Sequence, residues 1–216
     1  MSVPNNFKAE VEKTLQNRDP AHDFEHIIRV YRNAELIGKD EGADMDILLL
    51  SALMHDLVTY PKGSSKASKA ADDSADLAEK MLHGTYPKEK IEKISYCIRT
   101  HSYSKKLIPA TLEGRILQDA DRLDALGAIG IARTFSVGGT ESRTFYNPND
   151  PLIRSDREPD DRRWTLDHFS AKLLKLKNSM HTRLGKKMAK ERTLFMETFL
   201  AQLRKELNLT YRDRSK

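Results

Sequence analysis

Apolar residues recur at three- and four-residue intervals through most of the chain, the spacing that places them on one face of a helix. Asp19-Pro20 reads as a helix cap followed by proline at the first helical position. That helix runs to about Asp40, with Ile27, Val30, Tyr31, Ala34 and Ile37 on one side, and Gly42 closes it. Asp44 caps a second helix over 45–58, MDILLLSALMHDLV, apolar nearly all round and therefore expected at the centre. Pro61 and Gly63 end it. Further helices are expected over about 66–82, from Pro87 to about His101, near 111–120 and over 121–135. From Gly138 to Asp161 the pattern gives way to Gly, Asn, Pro, Asp and Arg. A loop of that length is functional or disordered. Thr165 or Asp167 then caps a helix to about Met180. A last amphipathic helix spans 183–207, with Leu194, Phe195, Thr198, Phe199 and Leu203 facing inward, and the tail 208–216 is expected to fray. No strand pattern and no internal repeat is present. The expected fold is all-α: a helical core over 1–136, a mobile loop over 137–164 hinged at Gly138-Gly139, and C-terminal helices over 165–216 packing back on the core.

Composition narrows this picture little. The 216 residues are 38% hydrophobic and 32% charged, a soluble profile, and no run approaches the ~20 apolar residues of a membrane span. MSVPNNFKAE lacks the apolar core of a signal peptide, so a cytoplasmic location is expected. Cys97, the only cysteine, forms no internal disulfide and reads as a small core residue. Charge is uneven. Residues 171–216 carry 13 Lys+Arg against 4 Asp+Glu, a local +9 within a net +5. Such a tail suits capture of a phosphorylated small molecule as well as nucleic acid. No zinc-finger, RNP or GxxG pattern supports the latter, so specific nucleic-acid binding is not expected.

Several polar residues stand where a core should be. His22 and His26 share a helix face. His55-Asp56 interrupts the most apolar helix, where an unpartnered polar group costs several kcal/mol. His101 ends its helix. Asp119, Asp121 and Asp124 crowd six positions just before a run of small apolar residues. One metal ion would satisfy such a set. Imidazoles plus carboxylates make a mixed N/O site suited to Mn²⁺, Fe²⁺, Co²⁺, Ni²⁺ or Zn²⁺, with Mg²⁺ also compatible.

The order H…HD…D, in the contexts "HIIRVYRNA", "LLSALMHDL" and "DADRLDALGAIGIARTF", resembles the HD-domain metal-dependent phosphohydrolases. With "HDFEH" and "IRTHSYS" it resembles in particular the bacterial HD-domain nucleotide pyrophosphohydrolases, over residues 15–136 and more loosely through 168-HFSAKLLKL-176 to Phe199. The resemblance implies an HD-domain helical bundle with a C-terminal helical extension. It also implies hydrolysis of nucleoside triphosphates to monophosphate and pyrophosphate. It places His26, His55, Asp56 and Asp121 as ligands of one divalent ion, Mn²⁺ favoured, with Asp119 and Asp124 orienting ligands or capping backbone. The chain lacks the Glu-Asp pair expected after the doublet in alarmone hydrolases, and the GYP segment of cyclic-dinucleotide hydrolases.

The other candidates keep two readings each. His101 protonates a leaving group or holds a phosphate oxygen, beside Asp56 in the catalytic pair. His22 contacts substrate or pairs with Asp23. Arg122 contacts phosphate or pairs with Asp119 or Asp124. Among Lys62, Lys66 and Lys69, Lys66 is favoured for phosphate. His168 and Lys172, four apart, are substrate contacts or a solvated face, with Lys172 carried forward. Trp164 and Tyr146 stack on a base or anchor the loop. His83 reads as surface. The competing functions are a 5′-nucleotidase releasing orthophosphate and a non-catalytic, metal-bound nucleotide-sensing module. A homodimer stays open.

Overall fold

The computed structural model describes residues 5–15, 23–60, 64–153 and 155–207. Asp19-Pro20, His22, Pro61, Lys62, Gly63 and the tail 208–216 lie outside the described residues. Among the described residues the architecture is all-α, with one isolated bridge between Thr144 and Trp164. No helix is long and apolar enough to cross a membrane.

The helices are α1 (Asn5–Thr14), α2 (Phe24–Glu41), α3 (Met45–Met54), α4 (Ala70–Leu82), α5 (Lys88–His101), α6 (Leu112–Asp124), α7 (Gly127–Thr140), α8 (Asp167–Ala171) and α9 (Arg183–Leu207). Every residue of α3 from Ile47 to Met54 is buried. It has no polar face to turn outward, so α2, α5 and α6 surround it. Each fully buried leucine there stabilises the fold by about 1.5–3 kcal/mol, which makes α3 the axis of the core. The N-cap of α2 is Asp23, whose carboxylate accepts the His26 amide at 2.9 Å. That cap fixes the first turn, and with it the direction of the His26 ring. The helix α1 and the residue after it carry Phe7, Val11 and Leu15 into the core. Their i, i+4, i+8 spacing is helical, although the pattern described above includes no helix there.

Several boundaries differ from expectation. The apolar helix stops at Met54, so His55 and Asp56 follow α3 rather than interrupt it. The expected break at 120/121 falls instead after Asp124: Asp121 lies inside α6. Gly127, at φ 72°, and Gly130, where a Cβ would collide with the Ala125 carbonyl, make the reversal into α7. These two glycines therefore serve a corner between two helices. The 66–82 helix begins as a 3₁₀ turn, Ala67–Lys69, before α4. The 165–180 helix is α8 followed by 3₁₀ turns over Leu173–Ser179, broken at Lys172. Neither Thr165 nor Asp167 caps it. Asp167 is buried and binds Arg157 through both oxygens, Oδ1 to Nη2 at 2.9 Å and Oδ2 to Nη1 at 2.5 Å.

The glycines expected to hinge the long loop sit within α7, and the loop opens at Glu141. Gly138 is buried against Thr165, whose side chain a Cβ would strike, so glycine there permits close approach. The α9 bounds match expectation, but its face does not. Leu194 and Phe195 are 63% and 52% exposed, and Thr198 is exposed too. The helix packs through Gly185, Ala189, Thr193 and Met196 on α7, α6 and α2, with Phe199 and Leu203 partly buried. Counting large apolar residues selects the wrong stripe, because small ones make the closest contact.

Candidate metal centre

Three elements deliver the central side chains. The first turn of α2 supplies His26, the turn after α3 supplies His55 and Asp56, and the interior of α6 supplies Asp121. Both imidazoles have their Nδ1 atoms occupied from behind. His26 Nδ1 donates to Asp124 Oδ2 at 2.8 Å, and His55 Nδ1 donates to the Ala52 carbonyl at 2.8 Å. The Nε2 atoms are thereby fixed toward a common centre, as an orienting hydrogen bond does in metal sites. His26 Nε2 lies 3.7 Å from Asp56 Oδ2 and 3.6 Å from Asp121 Oδ1. His55 Nε2 lies 3.8 and 4.0 Å from the same two atoms.

His55 Nε2 is fully buried and has no hydrogen-bond partner. An acceptor nitrogen abandoned in a core costs about 1–3 kcal/mol, and a cation supplies what it lacks. Donor atoms of His26, His55 and Asp56 all fall within 4.8 Å of one another, a group that could hold a metal ion. With Asp121 beside both imidazoles, the residues fit a divalent ion of N/O preference.

The surrounding charges agree. Burial opposes ionisation of Asp56, but His55, His101 and His26 hold its carboxyl well below the ordinary range. Burial pushes His55 down to about 4. Burial also works against charge on His26, yet Asp124 and Asp56 overcome it and raise His26 to about 9. Asp124 is 1% exposed. Burial alone would raise it, but it is held far down by His26, Arg29 and Arg133. It accepts from Arg29 Nε at 2.7 Å and from Arg133 Nη1 at 2.7 Å.

His101 is buried beside this cluster, its Nδ1 donating to the Ile98 carbonyl at 2.7 Å and its Nε2 3.5 Å from Asp56 Oδ1. Asp119 takes the backbone-capping role. It accepts the amides of His181 and Thr182 and the Thr182 hydroxyl at 2.7 Å, which ties α6 to the start of α9.

The centre opens into a cavity of about 280 Å³ whose lining includes His26, Asp56, His101, Tyr103, Asp121, Arg122, Arg133 and Lys172. Two of the expected substrate contacts therefore reach it, Arg122 and Lys172. Arg122 pairs with neither Asp119 nor Asp124. It binds Gln118 Oε1 at 2.7 Å and the Ser179 carbonyl, and its guanidinium sits 5.5 Å from the Tyr103 ring centre. Lys66 is exposed ahead of the 3₁₀ turn and does not line the cavity. Lys69 is exposed at the head of α4, and His83 is exposed. Trp164 carries Arg163 over its ring at 4.6 Å, and Tyr146 packs on the core. Cys97 is buried, and burial raises its thiol to about 11. Arg133 and Tyr103 line the cavity without having been expected there. Arg133 carries a signal in the sequence, being the one charged residue between Ala125 and Thr140.

Residues 23–126 match the HD domain family model, a span that includes His26, His55, Asp56, His101 and Asp121. The chain is 32% identical over 201 residues to the Bacillus subtilis protein YpgQ, covering 91% of this chain and 90% of that one. The crystal structure of YpgQ in complex with ADP superimposes with a TM-score of 0.71 at 31% identity, over 94% of this chain and 93% of that one. An HD-superfamily hydrolase from Bacillus thuringiensis superimposes with a TM-score of 0.71 at 34% identity, over 95% and 96%.

Proposed function

The chain belongs to the HD-domain family of metal-dependent hydrolases, and we propose that it cleaves nucleoside triphosphates at the α-phosphorus, releasing monophosphate and pyrophosphate. The proposed ligands are His26, His55, Asp56 and Asp121, with Mn²⁺ the favoured ion for two nitrogens and two carboxylates. A divalent ion there would supply Lewis acidity toward a phosphoryl oxygen and a nucleophile from water near neutral pH.

The chain's own residues do the rest. Asp124 holds His26 in one tautomer. His101 sits above its ordinary pKa because Asp56 outweighs the burial that would lower it. It is thus suited to carry a proton at Nε2 and to bond a phosphate oxygen or the departing one. Arg133 and Lys172 supply positive charge where the leaving group's charge develops.

The observation that carries the reading is the position of the cluster. It lies in the middle of three adjoining cavities rather than at a dead end. On one side a cavity of about 410 Å³ shares Tyr103 and Arg122 and adds Leu107, Ile108, Met180 and His181. On the other, one of about 250 Å³ shares Ala125, Arg133 and Lys172 and adds Arg143 and His168. Such a layout suits a substrate that reacts at its middle and extends both ways, with the nucleoside against Tyr103. A monophosphatase reacts at the end of its substrate and needs one side only. That YpgQ has been crystallised with ADP supports a nucleotide ligand here.

The test is turnover of nucleoside tri-, di- and monophosphates with Mn²⁺, assaying orthophosphate and pyrophosphate separately. Monophosphate plus pyrophosphate is expected. Diphosphate plus orthophosphate, or activity on monophosphates alone, would replace this reading with the nucleotidase.

A further inference from the structure

We propose that the cavity lined by Arg133, Arg143, His168 and Lys172 is a distal-phosphate subsite, with Arg143 and His168 making the chain discriminate triphosphates from monophosphates. The inference rests on the reading above and adds residues to it that lie outside the 23–126 family match. It starts from continuity. The cavity shares Ala125, Arg133 and Lys172 with the ligand cavity, so a linear anion leaving the centre passes Arg133 and Lys172 first. Arg143 and His168 line only the far compartment.

The second ground is charge. Three permanently or ordinarily cationic side chains, Arg133, Arg143 and Lys172, line about 250 Å³ together with Thr134, Val137 and Leu173. The one carboxylate in that lining, Asp161, is bound to His168 Nδ1 at 2.7 Å. Arg143 and Lys172 both lie close enough to Asp161 to act on its charge. Guanidinium groups bind phosphate oxygens in pairs, and Arg is favoured over Lys wherever that planar geometry is used.

The third ground is fixity. Arg133 is held by the Asp124 carboxylate at 2.7 Å, and Arg143 is bonded to Glu141 just past the end of α7. His168 is held by Asp161 on α8. Donors already held in place lose little freedom when an anion arrives. Two separate segments converge here: α7 with its following loop, and α8 with the break at Lys172.

The experiment is calorimetric titration of the full Mn²⁺-loaded chain with three probes. These are a nucleoside monophosphate, the matching triphosphate with a methylene bridge between its α and β phosphorus atoms, and pyrophosphate. Arg143→Ala and His168→Ala are each expected to weaken the triphosphate analogue and pyrophosphate about 10-fold while the monophosphate stays within about 2-fold. Arg143→Lys, which keeps the charge and serves as the folding control, should recover part of the loss. Equal weakening of all three probes, no weakening, or loss confined to the monophosphate would overturn the subsite. So would a wild-type chain that binds the triphosphate analogue no tighter than the monophosphate. Turnover separates the two claims. If wild type yields diphosphate and orthophosphate while this binding pattern holds, the proposed reaction falls and the subsite stands.

Discussion

Replacing Asp124 with Asn tests the proposed centre through a residue that is not one of the proposed ligands. Asp124 is 1% exposed and accepts from His26 Nδ1, from Arg29 Nε and Nη2, and from Arg133 Nη1, at distances of 2.7 to 3.1 Å. An amide has the same shape but one acceptor oxygen, and its NH₂ faces donors. Either His26 or the arginines must lose a partner. Breaking a buried pair costs about 3–5 kcal/mol. Arg29 and Arg133 keep 26% and 19% side-chain exposure and recover some hydration. A loss of about 2–3 kcal/mol is therefore expected, or roughly 4–12 °C in Tm for a chain of this size. Releasing the His26 ring should also weaken the ion by about 10- to 100-fold, as removal of an orienting partner does elsewhere.

The stability term has a sign in pH. Asp124 is depressed in the fold, so its contribution is present above the ordinary carboxylate range of about 4. It is lost only as acid carries the protein through the lower, folded value. Wild type and Asp124→Asn should differ at neutral pH and converge in acid. The assays are thermal melts of the metal-free chain across pH and chelator competition for the ion. Metal affinity within about 2-fold of wild type would refute the claim that Asp124 orients His26.

His55→Ala should abolish stoichiometric metal and turnover while circular dichroism stays helical; retained metal in that variant would remove His55 from the centre. Metal binding near pH 7.5 should release about one proton per ion, because His26, raised to about 9, must give up its proton to expose Nε2. Calorimetry in buffers of different ionisation enthalpy reads that number, which should fall as pH rises past about 9, and a count of zero at neutral pH would contradict the assignment.

The candidate cluster was legible because burial makes it expensive. A histidine-aspartate pair beside eight buried residues, and three aspartates within six positions, needed a reason, and the residue types left only a few. The resemblance had Asp119 and Asp124 orienting ligands or capping backbone, and the structure encloses both and sets their charge against fixed donors. Eight of the nine described α-helices were legible from periodicity, α1 excepted, but their ends were not. His55 and Asp56 looked like interruptions in a helix because apolar residues continue on both sides of them, and burial continues through Leu57 after the helix has ended. Periodicity reports which residues are buried, not which backbone carries them.

The cations were less legible, for the opposite reason. An exposed lysine costs the sequence nothing, so Lys66 and Lys172 looked alike and only the fold separates them: one stands outside the cavity, the other in its wall. Arg133 differs from both. It sits on a helix that is otherwise uncharged from Gly127 to Thr140, and there a lone arginine must meet a carboxylate or a ligand. It meets Asp124 with one nitrogen and lines both the ligand cavity and its neighbour. The carboxylate that orients His26 thus also positions the cation at the boundary between the two compartments. A change at Asp124 should therefore be felt twice, once by the ion and once by the anion that reacts beside it.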